Sequence, residues 1–282
     1  MLMANSWYED LNAYIRLGEP KLKKKAAAWQ TAIGLQAVDG LPVSDYLLKT
    51  AKENIEGKIT DNEANAQISN YYEYCCDRYV IEAGTKEADI VAGRIASLLA
   101  EKTFSFTPAF WISVHRYLFK DVFMHAGKIR TYNIYKNEWV LNGKSVFYAS
   151  YDSIPMTMEY DFKTEAAFSY KNLSKDDISR HLAQFTCDIW QIHPFGEGNT
   201  RSTAVFLIKY LSSLGYSINQ ECFAKKSWYF RNALVRANYN NLPNDIHATT
   251  LYLEKFFENL LFGGKNELKN RYLHIDWKDI KK

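Results

Sequence analysis

The chain has 282 residues, 47% of them apolar and 24% charged, with 35 basic against 32 acidic side chains. Its 20 Tyr, 16 Phe and 7 Trp exclude a disordered chain, and a net charge of +3 gives no reason to expect nucleic acid as a partner. No run approaches the ~18 apolar residues that a membrane span requires, and Met1 to Asn12, with two acids and no continuous apolar stretch, reads against a signal peptide. A cytoplasmic protein is expected, with one large domain or two modest ones. Cys75, Cys76, Cys187 and Cys222 show no metal-ligand spacing and read as free thiols in a reducing compartment.

The first twenty residues carry little signal before the break at Glu19-Pro20. Helix formers dominate from Ala26 to Val38, and Asp39-Gly40 predicts a stop. Ser44 is placed to cap a second helix that ends at Gly57, and Thr60-Asp-Asn-Glu63 fits a capping box for a third. Ala88 to Leu99 predicts a further helix, and Thr107-Pro108 an N-cap with proline at the first helical position. Between Gly127 and Phe147 the pattern changes: Ile129, Thr131, Ile134, Trp139, Val140 and Val146 are strand formers around an Asn142-Gly143 turn signal, which predicts a β-hairpin. Ser174 caps a helix whose apolar residues recur from Ile178 to Ile192. A second helix is expected from Asn199 to Leu214 with Gly215 as its stop, and later helices over 224–238 and 248–261. The polar tail, which carries the whole basic excess, reads as a peripheral helix or a partly frayed end.

The loop His193-Pro-Phe-Gly-Glu-Gly-Asn-Thr-Arg201 between two of these helices is the segment most suited to phosphate chemistry. Gly196 and Gly198 allow backbone N–H groups to approach a ligand, and the helix that opens at Asn199 directs its positive end to the same place. Arg201 offers a planar charged fork for phosphate oxygens. Glu197 is an acid within an anion-binding loop, which suits a Mg²⁺ ion between it and the phosphates, and His193 is placed to deprotonate a hydroxyl near neutral pH. The plainer alternative is a glycine-rich turn between helices, with His193 as a C-terminal cap and Glu197 and Arg201 as a solvated pair.

The same loop resembles the signature of the Fic family, HPFx(D/E)GNGRxxR, which His193, Pro194, Phe195, Glu197, Gly198, Asn199 and Arg201 match. The likeness extends through Phe119 to Arg130, Asn133 to Lys136 and Trp228 to Leu234, and covers roughly residues 88 to 245. It implies a mainly helical bundle with a small β-hairpin flap, and a protein adenylyltransferase that transfers AMP from Mg-ATP to a Ser, Thr or Tyr hydroxyl. His193 would be the general base, Phe195 a structural anchor and Glu197 the Mg²⁺ ligand. Gly196, Gly198, Asn199, Thr200 and Arg201 would bind the nucleotide phosphates, and Asn133, Ile134 and Lys136 would dock the target on the flap. Thr200 replaces the second glycine of the signature and Ala204 its second arginine, which leaves nucleotide choice open. An AMP-removing phosphodiesterase and a non-catalytic binding module are the competing readings.

Residues about 26 to 70 resemble the VbhA-type antitoxins that cover Fic active sites. This divides the chain into an N-terminal helical, three-helix regulatory module (1–85), a catalytic domain (86–262) and a basic tail (263–282). Such modules inhibit through a glutamate paired with the second motif arginine. Asp39 or Glu56 would hold that place here, each within an incomplete motif. With Ala204 lacking the charged partner, the module is expected to pack beside the catalytic domain without that ion pair.

Overall fold

The computed structural model describes residues 6–74 and 84–277. Among these residues four helices, α1 (Ser6–Leu17), α2 (Pro20–Gly34), α3 (Asp45–Ile55) and α4 (Asp61–Tyr74), precede seven more: α5 (Thr85–Ala100), α6 (Pro108–Phe119), α7 (Ile154–Ala166), α8 (Lys175–Ile192), α9 (Asn199–Ser213), α10 (Glu221–Ala237) and α11 (Leu251–Leu261). No described helix is long and apolar enough to cross a membrane. Cys75 and Cys76 lie outside the described residues. Cys187 and Cys222 are free and buried, and burial pushes both thiols up to about 12.

The local signals that set these helices are those of the sequence. Ser44 Oγ accepts from Leu47 N at 3.0 Å, Thr107 Oγ1 from Phe110 N at 3.1 Å and Ser174 Oγ from Asp177 N at 3.1 Å. The capping box closes reciprocally: Glu63 N donates to Thr60 Oγ1 at 3.2 Å, and Thr60 N to Glu63 Oε2 at 2.7 Å. α2 runs into a 3₁₀ turn (Leu35–Asp39) that ends at Gly40, at a φ of 68°. Helices α1 and α7 have weaker signals. α7 leaves Met156 and Tyr160 exposed, so its apolar periodicity is shallow.

α9 lies at the centre, buried from Asn199 to Leu211 and packed by α5, α6 and α8. Rings from Phe106, Phe162, Phe206 and Tyr210 interlock around it, which accounts for much of the aromatic content as helix packing. α2 fits between α5 and α10. A Cβ at Gly34 would lie 2.4 Å from Ala224 Cα, so the two backbones meet where no side chain fits. The hydrophobic core is a single cluster that joins Trp29, Ile33 and Leu35 to Phe223, Phe230 and Leu207. Asp89 fastens the N-terminal helices to α5, accepting from Ser44 N at 3.0 Å and Tyr72 Oη at 2.6 Å.

The expected β-hairpin between Gly127 and Phe147 does not form a strand pair. The one bridge among the described residues joins Asn241 to Ile246. The turn itself is present, with Asn142 and Gly143 at φ of 54° and 78°. Glu138 N donates to Lys144 O at 3.0 Å across it, but Trp139–Leu141 winds into a 3₁₀ turn. Val140 and Leu141 are both fully buried, and adjacent inward residues break the alternation a ladder requires. The tail also departs from expectation. Leu268 and Leu273 enter the core, Ile275 N donates to Val140 O at 3.0 Å, and Asn142 Nδ2 donates to Asp276 Oδ2 at 2.6 Å. The tail thus straps the turn of the flap.

Candidate active site

The loop 193–201 joins α8 to α9, and its shape is set by packing beneath it. Phe195 is fully buried, stacked on His115 with ring centroids 3.7 Å apart. His115 accepts from Gly127 N at Nδ1 (2.9 Å), so its Nε2–H donates to Glu197 O (2.9 Å). Asn199 closes the loop from the other side: its Oδ1 accepts from Phe195 N at 2.9 Å and its Nδ2 donates to Phe195 O at 2.8 Å. Gly198 precedes α9 at a φ of 76°, where a Cβ would lie 2.4 Å from the Phe119 ring. Thr200 does not crowd the turn. Its Oγ1 accepts from Trp190 Nε1 at 2.9 Å, which pins the start of α9 to the end of α8.

Arg130 holds the same loop from the flap side. Its Nε donates to His193 O at 2.7 Å, its Nη1 to Tyr132 O at 2.7 Å and its Nη2 to Ala149 O at 2.5 Å, while its own backbone N–H reaches Pro194 O at 2.8 Å. Neither Arg130 nor His115 has a site role in the sequence pattern. The signal that would find them is a long polar side chain in a segment otherwise suited to burial.

His193 ends α8 in the left-handed region (φ 47°) and is almost wholly buried between Trp190 and Tyr148. Its Nδ1 lies 3.0 Å from Trp190 O; a carbonyl only accepts, so Nδ1 carries the proton and Nε2 has the free lone pair. Burial, then the charge of Lys136, holds its pKa well below the usual histidine value, so the imidazole is neutral and basic in form at neutral pH. Replacing Lys136 by Met removes a positive charge from this imidazole and raises its pKa. The acid limb of the activity profile is therefore expected to move to higher pH, a shift read from rate against pH.

His115 supplies a stability prediction. Burial lowers it to about 4, from an ordinary value of 6.5. As pH falls below 6.5 the unfolded chain takes up a proton that the folded chain refuses. Stability should decline until about pH 4, by about 3 kcal/mol from this group, with His193 acting in the same direction. Urea midpoints measured between pH 7 and 4 check this, and His115→Gln should flatten the slope.

The charged groups around the loop are paired. Lys136 Nζ sits 2.8 Å from Glu197 Oε2. Arg201 is 1% exposed and lies 4.8 Å over the Phe119 ring. Its Nη2 meets Glu87 Oε1 at 2.6 Å and its Nη1 meets Gln36 Oε1 at 3.1 Å. Asp39 Oδ2 is 2.8 Å from its Nε, a contact of charges without the alignment of a hydrogen bond. The acid of the N-terminal segment thus meets the first motif arginine, while Ala204 is fully buried inside α9. Glu56 is elsewhere, with Tyr14 and Lys58. Arg231 of α10, which sequence reasoning left without a role, makes a bidentate pair with the fully buried Glu138 of the flap at 2.6 and 3.1 Å.

Two spaces open beside this cluster. A cavity of about 780 Å³ is lined by Val38, Asp39, Glu87, Glu197, Arg201 and Arg231 among others. A narrow cleft of about 10 Å³ adjoins it, where Asp39, Lys136, His193, Glu197, Thr200 and Arg231 converge. A third space, of about 600 Å³, lies along the flap between Asn133, Ile134, Tyr135 and Phe147. Lys136 faces the cleft, whereas Asn133 and Ile134 line the flap space, so the three docking candidates divide between neighbouring openings.

Residues 105–211 match the model of the Fic/DOC family. Over 143 residues the chain is 23% identical to the probable protein adenylyltransferase Fic of Escherichia coli (strain K12), covering 51% of this chain and 66% of the relative. It is 25% identical over 166 residues to the protein adenylyltransferase VbhT of Bartonella schoenbuchensis, covering 58% of this chain and 33% of VbhT. The chain therefore spans just under two thirds of the first relative and a third of the second. The N-terminal FIC domain of Bep8 from Bartonella sp. 1-1C shares the fold, with a TM-score of 0.51 at 16% identity over 68% of this chain and 93% of that one.

Proposed function

Because residues 105–211 make this chain a member of the Fic/DOC family, we propose that it is a protein adenylyltransferase acting on a Ser, Thr or Tyr hydroxyl of a target protein, with ATP as the AMP donor. The observation that carries this reading is His193, held as a neutral base with Nε2 free, in a cleft it shares with a helix N-terminus, Glu197 and Arg231. The target hydroxyl attacks the α-phosphate and loses its proton to His193 Nε2. A new P–O bond forms as the bond to the β-phosphate breaks, and pyrophosphate leaves.

The cavity of about 780 Å³ is the size of a site for a molecule such as ATP, and it is lined by Arg201 and Arg231. The backbone N–H groups of the first turn of α9 add donors for phosphate oxygens. Arg231 offers a second guanidinium where Ala204 supplies none. Mg²⁺ commonly takes one or two carboxylates with the substrate phosphates, and Glu197 fits that need: its carboxylate is half exposed and already draws a cation, Lys136, to 2.8 Å. Bound there, the ion would offset the phosphate charge.

The flap fits a target segment. Tyr135 and Phe147 expose aromatic surface in the opening of about 600 Å³, and Tyr132, Trp139 and Tyr151 are exposed elsewhere on the same segment. The stretch from Asn133 to Lys136 has no regular secondary structure and no strand partner, which suits main-chain pairing with an extended peptide.

A second reading has its own support. Asp39 lines the same narrow cleft as His193, where a carboxylate would orient water toward a bound AMP-protein and make the chain a phosphodiesterase. Incubating the full chain with α-labelled nucleoside triphosphates, Mg²⁺ and a cell extract separates the two. Label on protein from ATP supports transfer. Release of label from a premodified extract, with no transfer, supports hydrolysis, and neither outcome leaves a binding module.

A further inference from the structure

A separate cavity of about 850 Å³ lies beyond the flap, between α10, the start of α11 and the C-terminal strap. Its walls include Arg236, Lys144, Asn241, Tyr252, His274 and Trp277. None of these belongs to the motif loop. Arg236 is 9% exposed, and its Nε and Nη1 are sealed from solvent with no hydrogen-bond partner. A buried guanidinium without an acceptor is costly, and a charged group in this state is ordinarily paired. Arg201, more enclosed than Arg236, and Arg231, less enclosed, each face a carboxylate.

The acids that line this cavity are engaged elsewhere: Asp276 accepts from Asn142 Nδ2 at 2.6 Å, and Asp245 lies 3.1 Å from His247 Nε2. Lys144 and His274 add positive or polar character to the same walls, and Tyr252 and Trp277 provide flat apolar surface. Burial also lowers the pKa of Arg236, a direction that an arriving anion would reverse.

The cavity adjoins the opening along the flap, because Lys144 and Asn241 line both. We propose that Arg236 forms a carboxylate-binding subsite that receives an acidic side chain of the target protein, from the same extended segment that docks along the flap. This rests on the reading that the chain acts on a protein held at the flap. A segment gripped at the flap and at Arg236 would be fixed at two points. The position of the hydroxyl that enters the cleft at His193 would then depend on its distance in sequence from an acidic residue.

The test is binding to the full chain without nucleotide, so it does not depend on AMP transfer. The Nε–H resonance of Arg236, assigned by its loss in Arg236→Lys, is followed during titration with N-acetylglutamate amide, its glutamine counterpart, inorganic phosphate and a hexaglutamate peptide. The glutamate compound is expected to move the resonance and the glutamine compound to leave it in place. The peptide, which also engages the flap, should bind at least ~10-fold more tightly than the single residue. Lys144→Gln should weaken both acids with an unchanged thermal midpoint. No shift with any carboxylate would overturn the subsite. Phosphate binding ~10-fold more tightly than the carboxylates would replace it with a free-phosphate site, and equal affinity for peptide and single residue would overturn the link to the flap.

Discussion

Replacing His193 by Ala is expected to lower the rate of AMP transfer by about 10²–10⁴-fold, the range in which a positioned general base contributes. Nucleotide affinity should stay near that of the unaltered chain. The split follows from the geometry. Nδ1 is committed to Trp190 O, and Nε2 is directed to the cleft rather than to the larger cavity that would hold the nucleotide. Single-turnover transfer from labelled ATP, beside direct nucleotide binding, measures both quantities. The variant also loses one buried hydrogen bond, about 1 kcal/mol, so its thermal midpoint should be recorded. Transfer at the unaltered rate would sink the proposed mechanism.

The second large effect concerns the acids on Arg201. Asp39→Asn together with Glu87→Gln is expected to tighten nucleotide binding by about 10–100-fold, because a hydrogen bond to a charged group contributes about 1.5–3 kcal/mol and phosphate oxygens would no longer compete with carboxylates for it. Each acid is partly open to solvent while Arg201 is not. The carboxylates can therefore swing into water more easily than the guanidinium can move. The double variant should be less stable without nucleotide and should recover stability as nucleotide is added, in proportion to its occupancy. Thermal midpoints across an ATP titration show both effects. An affinity equal to that of the unaltered chain would mean that the acids shape the pocket without guarding it.

Local chemistry made much of this legible from sequence. Ser44, Thr60, Thr107 and Ser174 cap where their side chains and spacing require, since a cap depends on residues within one turn. The motif loop was legible for the same reason: its glycines, acid, histidine and arginine are neighbours in the chain. The groups that orient it are distant. His115, Arg130 and Arg231 reach it from α6, the flap and α10, and a single sequence does not reveal such pairings. The flap misled because β-branched residues fit either a ladder or a buried turn. Glu138, an acid with no visible partner in sequence, finds Arg231 and draws the segment inward. The sequence pattern points Asp39 toward position 204, whereas the structure brings it to Arg201.

The close meeting of Gly34 with Ala224 bears on how any such control would operate. α2 is seated backbone to backbone on α10, Ser227 Oγ donates to Gly34 O at 2.5 Å, and Trp29, Ile33 and Leu35 are part of the common core. Truncating the first 85 residues would strip that apolar surface bare, so point substitutions at Asp39 and Glu87 are the sounder probe. A guard built in this way cannot diffuse off or be titrated by dilution. Its effective concentration is fixed by the fold, so its closing on Arg201 is unimolecular and independent of the protein's own concentration. On the proposed reading, what would set the balance is the ATP level against two carboxylates on one arginine. Such a chain would respond to nucleotide supply rather than to the abundance of a separate inhibitor.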